Sequence, residues 1–240
     1  MSILSSGIAD LLALFFPERC LVCGAPLARG ERAICTLCRV TAPLTNYEIE
    51  AMNPVLEKLE GLVPVERASA MLFFQQGSGW QRLIHDFKYY DRWRAASEVG
   101  RWYGTRLKQS GLYEDIDVVV PLPLHPFKLL RRGYNQATYL AEGIARELGV
   151  EVLHRAVRRT RNTKSQARKP RREREANVAG AFAVRHAEQL RGRHILVVDD
   201  VLTTGSTLTA LVEAIVAEVP DCRISVAVLA VPRGALGVKV

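Results

Sequence analysis

The stretch ILVVDDVLTTGSTL, residues 195–208, decides the fold of this chain. A run of apolar residues ends in two adjacent carboxylates, Asp199 and Asp200, and a small hydroxyl-rich loop precedes an apolar-periodic helix. Backbone N–H groups in such a loop and the helix dipole favour an anion, and a glycine lets the backbone approach it closely. The acids can accept hydrogen bonds from ribose hydroxyls, so the pattern predicts a sugar-phosphate site. The loop consists of Thr203, Thr204, Gly205, Ser206 and Thr207.

An ordinary buried strand followed by a Ser/Thr-rich helix start is the alternative interpretation of this stretch. Two adjacent acids at the end of a core strand fit that alternative poorly, because burying a charge without a partner costs free energy. The sugar-phosphate interpretation is therefore favoured.

The residues VVDDVLTTGST resemble the phosphoribosyl pyrophosphate (PRPP) signature of type I phosphoribosyltransferases. The resemblance implies that Asp199 and Asp200 contact the ribose 2′ and 3′ hydroxyls, that residues 203–207 bind the 5′-phosphate, and that Mg²⁺ accompanies PRPP. Purine-salvage members carry an Asp where Thr203 stands, whereas orotate-type members carry Thr. The resemblance therefore argues against ordinary purine salvage and leaves catalysis with another acceptor open.

The positive charge of the chain is concentrated in one segment. The 240 residues carry a formal net charge of +8, and residues 155–174, from Arg155 to Arg174, hold ten basic residues and one acid. Three interpretations of this segment are open. It contacts single-stranded DNA, it closes over a phosphate-rich ligand, or it is a solvated run. The second interpretation rests on the resemblance, because residues 158–180 occupy the place of the mobile loop of type I phosphoribosyltransferases.

Four of the five cysteines form two CxxC pairs, Cys20 with Cys23 and Cys35 with Cys38. Two such pairs separated by a short loop predict a tetrahedral zinc site, and four thiolates leave no open position, so the zinc should be structural. Two disulfides or one redox pair are the alternatives. Cys222 is expected to be a buried core residue.

The remaining pattern predicts an α/β chain with a parallel sheet, because apolar strands alternate with helices. Strands are predicted near residues 68–74, 118–120, 150–153, 181–184, 195–198 and 224–230, and helices over 80–90, 95–107 and 137–148. The predicted fold class is a type I phosphoribosyltransferase fold preceded by a four-cysteine zinc module. Residues 1–60 are assigned to an N-terminal helix, a zinc-ribbon-like module and a connector, and residues 61–240 to the phosphoribosyltransferase-like domain.

Residues 3–16 have helical apolar spacing and are too short to span a bilayer. They predict an amphipathic helix that packs on the body of the protein, with membrane association as the alternative. We expect a cytoplasmic protein without a membrane span.

The loop at residues 121–136 follows the second predicted strand. In type I phosphoribosyltransferases a loop at this place binds pyrophosphate, which implies that role for Arg131, Arg132 and Gly133, with Lys88 as a further cation. The alternative is a surface loop with ordinary charges.

The whole chain resembles the ComF/GntX proteins. The residues that carry the resemblance are the four cysteines, RLIHDFKYYDR, PLP followed by RRGYNQ, RRTRNTKSQ with RREREANVAGAF, and the PRPP motif. The resemblance implies a bacterial, cytosolic protein that is associated with natural competence and the handling of internalised single-stranded DNA. It also implies PRPP or a related phosphosugar as ligand, and DNA-processing proteins as candidate partners. An active Mg²⁺-dependent phosphoribosyltransferase in nucleotide metabolism, with an unknown acceptor, is the alternative function.

Overall fold

The computed structural model describes residues 18–87, 92–161 and 180–237, and the predicted helix at residues 3–16 lies outside these ranges. The described strands are β1 (Arg67–Phe74), β2 (Val118–Pro121), β3 (Glu151–Val152), β4 (Val157–Arg159), β5 (Phe182–Val184), β6 (His194–Val201) and β7 (Arg223–Pro232). The described α-helices are α1 (Thr36–Val40), α2 (Pro54–Glu60), α3 (Gly79–Asp86), α4 (Trp93–Gln109), α5 (Pro126–Arg132), α6 (Gln136–Leu148) and α7 (Ser206–Glu218), with 3-10 turns at Tyr47–Ile49, Ala187–Gln189 and Arg233–Leu236.

Five strands form one parallel sheet in the order β1-β7-β6-β2-β3. β6 lies in the middle, and its residues up to Asp200 are buried because helices cover both faces of the sheet. Ile195 and Val197 face the core that is shared with α2 and α7. Leu196 and Val198 face the core that is shared with α3, α4 and α6. The predicted α/β fold class with a parallel sheet is confirmed.

Helix α4 packs unusually close to α6. A Cβ atom on Gly100 would lie 2.3 Å from the Leu140 carbonyl oxygen, and one on Gly143 would lie 2.2 Å from the Ser97 carbonyl oxygen. The two backbones therefore meet only because neither position carries a side chain. This close contact fixes α6 against α4.

Strands β4 and β5 form a separate antiparallel hairpin, and the residues between 161 and 180 are outside the described ranges. The hairpin packs its apolar residues, among them Ala156, Val157 and Phe182, on the same core as α7. The predicted strand at 181–184 therefore exists, but it pairs with β4 and not with the parallel sheet.

The predicted boundary at residues 60 and 61 falls between α2 and β1 and stays a prediction. The segment before β1 is tied to that strand by buried polar side chains. Thr45 Oγ1 donates to the Ala70 carbonyl, and Asn53 Nδ2 donates to the Ala68 carbonyl at 2.8 Å. Asn53 also caps α2 by accepting two N–H groups. Among the described helices, none is long and apolar enough to cross a membrane.

Candidate functional site

Two buried acids stand where β6 leaves the sheet. Asp199 and Asp200 are only 9% and 8% exposed. Asp199 Oδ1 accepts the Asp200 N–H at 2.8 Å, and Asp200 Oδ1 accepts the Val201 N–H at 3.0 Å. The carboxylates are therefore held at the carboxyl end of the central strand, which is where parallel α/β sheets bind ligands.

The loop after β6 gives way directly to helix α7. Gly205 occupies the N-cap position in the left-handed region, with φ at 86°, so no side chain caps the helix. Thr204 Oγ1 and Ser206 Oγ lie 3.0 Å apart. Only glycine adopts this backbone without strain, and the first-turn N–H groups of a helix of thirteen residues remain available to an anion.

Two side chains that the sequence did not single out for the site are joined to the acid pair. Gln136, in the first turn of α6, donates from Nε2 to Asp200 Oδ2 at 3.4 Å. Arg159 on β4 is buried against the ring of Phe182. Burial lowers the pKa of Arg159, and the charge of Asp199 opposes that shift, so the guanidinium and this acid interact electrostatically.

Of the predicted pyrophosphate residues, Arg132 is linked to the acid pair through a neighbouring side chain. Arg132 Nη1 donates to Gln136 Oε1 at 3.3 Å, and Gln136 in turn contacts Asp200. Gly133 ends α5 in the left-handed region, with φ at 81°, and Arg131 is exposed. Lys88 lies outside the described residues.

A pocket of about 470 Å³ adjoins the acid pair on the side of α3, and we call it the acid-side pocket. Its lining residues are Phe74, Gln81, Arg82, Ile84, His85, Asp200, Val201, Thr203 and Pro232. Its walls combine apolar surface from the ends of β1 and β7 with polar side chains from α3. The sequence carries no local signal for this pocket, because its walls come from four separate segments.

A second, larger cavity of about 960 Å³ lies between the segment from Pro121 to Tyr139 and the β4–β5 hairpin, and we call it the basic groove. Its basic lining residues are Arg155, Arg158, Arg159, Arg185, His125, His154 and His186. No acidic residue appears among the described residues that line it. The first part of the basic run at residues 155–174 therefore forms one wall of a cationic surface, and the part from residue 162 onward lies outside the described residues.

The four predicted zinc ligands form one cluster near α3. All four Sγ atoms lie within 4.8 Å of one another, and Cys23 and Cys35 are 3.8 Å apart at Sγ. A tetrahedron with metal–sulfur bonds of about 2.3 Å has sulfur–sulfur edges of about 3.8 Å, so the residues fit zinc. The thiols are free, and 3.8 Å is far too long for a disulfide. Cys222 is half-buried and packs against the core.

Backbone donors already favour thiolate at one of these cysteines. Burial opposes ionisation of Cys20, but backbone N–H groups of Cys23, Cys35 and Val22 outweigh it and lower the pKa of the thiol to about 6. Burial among the other thiols raises the pKa of Cys38. A divalent metal would remove this disparity, since it binds the deprotonated form of every ligand.

Comparison with known proteins decides the family. The chain is 31% identical to DNA utilization protein YhgH of Escherichia coli (strain K12) over 217 residues, covering 83% of this chain and 91% of that protein. It is 35% identical over 96 residues to Competence protein F of Haemophilus influenzae, covering 40% of this chain and 42% of that protein. The chain belongs to the ComF family.

The phosphoribosyl transferase domain profile matches residues 131–239 of this ComF protein, a range that includes the acid pair, the hydroxyl loop and α6. Adenine phosphoribosyltransferase from Saccharomyces cerevisiae shares 14% identity with it over 76% of this chain and 91% of that chain, at a TM-score of 0.38. The curated relatives and the domain profile confirm the family assignment made from the motifs and the phosphoribosyltransferase fold, and the structure confirms the clustering of the four cysteines.

Proposed function

We propose that this ComF protein is a cytoplasmic PRPP-binding protein that handles internalised single-stranded DNA. The observation that carries the proposal is the buried pair Asp199 and Asp200, followed at once by a left-handed Gly205 at the start of α7. A sugar bearing vicinal hydroxyls and a phosphate matches this arrangement, because carboxylates accept from hydroxyls and helix N-termini bind phosphate.

Each part of PRPP has a chemical counterpart around this point. The ribose hydroxyls would donate to the two acids, and the 5′-phosphate would lie against residues 203–207. The pyrophosphate would lie toward Arg131, Arg132 and Gly133, with Lys88 as a further predicted cation. Mg²⁺ prefers oxygen ligands and retains waters, so it would enter with the diphosphate and neutralise its charge. Arg132 supports this placement, because it is joined to Asp200 through Gln136.

The DNA part of the proposal is supported by charge. Relatives of this chain bear the names DNA utilization protein and Competence protein F. The basic groove presents arginines without a described acid among its lining residues, which suits a polyphosphate backbone. DNA-processing proteins as partners belong to the same proposal.

Calorimetry with PRPP and Mg²⁺ tests the sugar-phosphate part. Wild-type protein should bind PRPP. Asp200→Asn should weaken binding by about tenfold or more, the effect of losing one charge-assisted hydrogen bond. Asp221→Asn is the control and should bind as wild type does, since Asp221 is an exposed residue. Equal affinities for all three proteins would show that the ribose assignment is wrong. Melting curves of the ligand-free variants verify that the fold is intact.

Salt titration of single-strand binding tests the DNA part. The logarithm of the association constant should fall linearly with the logarithm of salt concentration, and Arg155→Ala with Arg158→Ala should make the slope shallower. Lys108→Ala removes an exposed charge at the end of α4 and serves as the matched control. Absence of binding at low salt would refute this part.

A second candidate function is an active Mg²⁺-dependent phosphoribosyltransferase with an unknown acceptor. The acid-side pocket favours it, because a cavity of about 470 Å³ beside Asp200 and Thr203 has room for a ring-sized acceptor. Pyrophosphate release from PRPP in the presence of a panel of nucleobases tests it. If none of the nucleobases in the panel causes pyrophosphate release, binding without turnover is the better description.

A further inference from the structure

Helix α5 exposes apolar side chains that take no part in either core. None of its seven residues is buried. Phe127 is 70% exposed, Leu130 is 84% exposed and Leu129 is 42% exposed. Neighbouring exposed apolar side chains on one short element are typical of a binding surface.

The aromatic ring on this helix is held in a defined position. The ring of Phe127 stacks on that of His125, with centroids 5.4 Å apart and planes inclined by 22°. His125 is itself buried, and its Nδ1 accepts the Phe127 N–H at 3.3 Å. The imidazole thus packs in an offset manner against one side of the Phe127 ring, and the exposure of the side chain leaves most of the ring to solvent.

The charged residues of the helix that carries this ring are all basic. Lys128, Arg131 and Arg132 are the charged residues of α5. His125 and Leu129 also line the basic groove, which continues across to Arg155 and Arg158. An exposed ring therefore stands at the rim of a cationic groove.

We propose that α5 is a stacking platform for single-stranded DNA, with the phosphate backbone in the basic groove and a base on the exposed face of Phe127. This inference rests on the DNA part of the proposed function and adds the element that contacts the bases. Aromatic side chains beside a cationic track are how proteins hold single strands without reading sequence. A folded protein partner or a membrane surface would use the apolar residues of α5 and would not need the groove.

The experiment compares oligo(dT) with an abasic oligomer of the same length, using wild type, Phe127→Ala, Phe127→Leu and Arg158→Ala across a range of salt. Phe127→Ala should weaken oligo(dT) binding about tenfold, the size of one lost stacking contact, with an unchanged salt slope. Phe127→Leu should recover little of the loss, since leucine keeps apolar area and lacks a ring. Arg158→Ala should instead make the salt slope shallower.

The abasic oligomer separates stacking from other effects. Wild type should bind it less tightly than oligo(dT), and Phe127→Ala should cause no further loss. If wild type binds oligo(dT) and Phe127→Ala binds it equally well, the platform is refuted while DNA binding stands. If Phe127→Ala weakens both oligomers equally, Phe127 acts by packing and the platform is likewise refuted. If wild type binds neither oligomer, both this inference and the DNA part of the proposed function fail.

Discussion

Gln136 donates a hydrogen bond of 3.4 Å from Nε2 to Oδ2 of Asp200, a residue 64 positions later in the chain. The same amide accepts from Arg132 Nη1 at 3.3 Å through its Oε1. One buried side chain thus links the last turn of α5, the first turn of α6 and the end of β6. Because an amide donates and accepts at once, Gln136 can orient a cation and a carboxylate toward the same ligand.

The first prediction concerns Gln136→Met, which keeps the side-chain length and removes both hydrogen bonds. We expect the dissociation constant for PRPP with Mg²⁺ to rise about threefold to tenfold, the effect of one modest hydrogen bond to a charged group. Calorimetry measures the change. Gln109→Met, at the exposed end of α4, is the matched control and should leave the constant unaltered. Unchanged affinity in Gln136→Met would mean that Asp200 needs no such support.

The second prediction concerns the metal. Purified protein should contain one zinc per chain, Cys35→Ser should lose it, and Cys222→Ser should retain it. Cys35 is the sharpest choice, because its Sγ accepts the Cys38 N–H and its own N–H donates to Cys20 Sγ. Loss of a structural metal destabilises by about 4 kcal/mol, which corresponds to a fall in Tm of about 8–16 °C. Elemental analysis and thermal melts test this. Equal zinc content in the two variants would contradict it.

The parallel sheet could be predicted because its strands are continuous apolar runs that end in turn residues. β6 and β7 show this most clearly, and their predicted positions agree with the structure. Helix α5 could not be found in this way. Its sequence PFKLLRR has apolar residues that face solvent, so no apolar stripe marks a buried face. The β4–β5 hairpin likewise depends on a pairing between distant segments.

The places of the acid pair at a strand end and of the hydroxyl loop before a helix could be predicted, because these residues are contiguous in sequence. The cysteine cluster could be predicted because the spacing of its ligands is itself the signal. Gln136 and Arg159 could not be assigned to the acids, since only the fold brings α6 and β4 to the end of β6. The walls of the acid-side pocket escaped prediction for the same reason.

The third prediction concerns the contact between the cysteine cluster and α3. A Cβ atom on Gly79 would lie 2.1 Å from the Val22 carbonyl oxygen, and that oxygen also accepts Arg82 Nη2 at 3.2 Å. Gly79→Ala must therefore displace backbone, and we expect about 1–3 kcal/mol of destabilisation. Gly61→Ala meets no atom within 4 Å and adopts an ordinary φ, so it should be neutral or slightly stabilising. Denaturant unfolding of both variants measures the difference. Equal stability of the two variants would refute the proposed clash.

At the opposite end of the parallel strands from the acid pair, where the strands begin, Asp115 lies within a cluster of charged groups. Its carboxylate accepts from Arg67 at 2.6 Å and from Arg223 at 3.0 Å. The buried His194 places Nδ1 3.2 Å from Asp115 Oδ2, and Nε2 lies 3.7 Å from Glu66. Burial opposes ionisation of Asp115, but the two arginines outweigh it and hold the pKa of the carboxyl well below its usual range. Burial lowers the pKa of His194, although Asp115 opposes that shift.

The fourth prediction is therefore a loss of stability in acid. A carboxyl with a lowered folded pKa stabilises the protein above its unfolded pKa of about 4, and this contribution fades as the pH falls below that value. A histidine with a lowered folded pKa stays neutral when folded, so protonation of the unfolded chain below about pH 6.5 acts in the same direction.

Wild-type Tm should fall steadily from pH 7 to pH 3.5. Asp115→Asn should melt several degrees lower at pH 7. Its difference from wild type should shrink between pH 5 and pH 3.5, because Asp115 of the unfolded wild-type chain then takes up a proton while the folded carboxylate stays ionised. Asp221→Asn removes an exposed acid and should track wild type at every pH. A constant gap between Asp115→Asn and wild type across this range would show that ionisation of Asp115 does not govern acid stability.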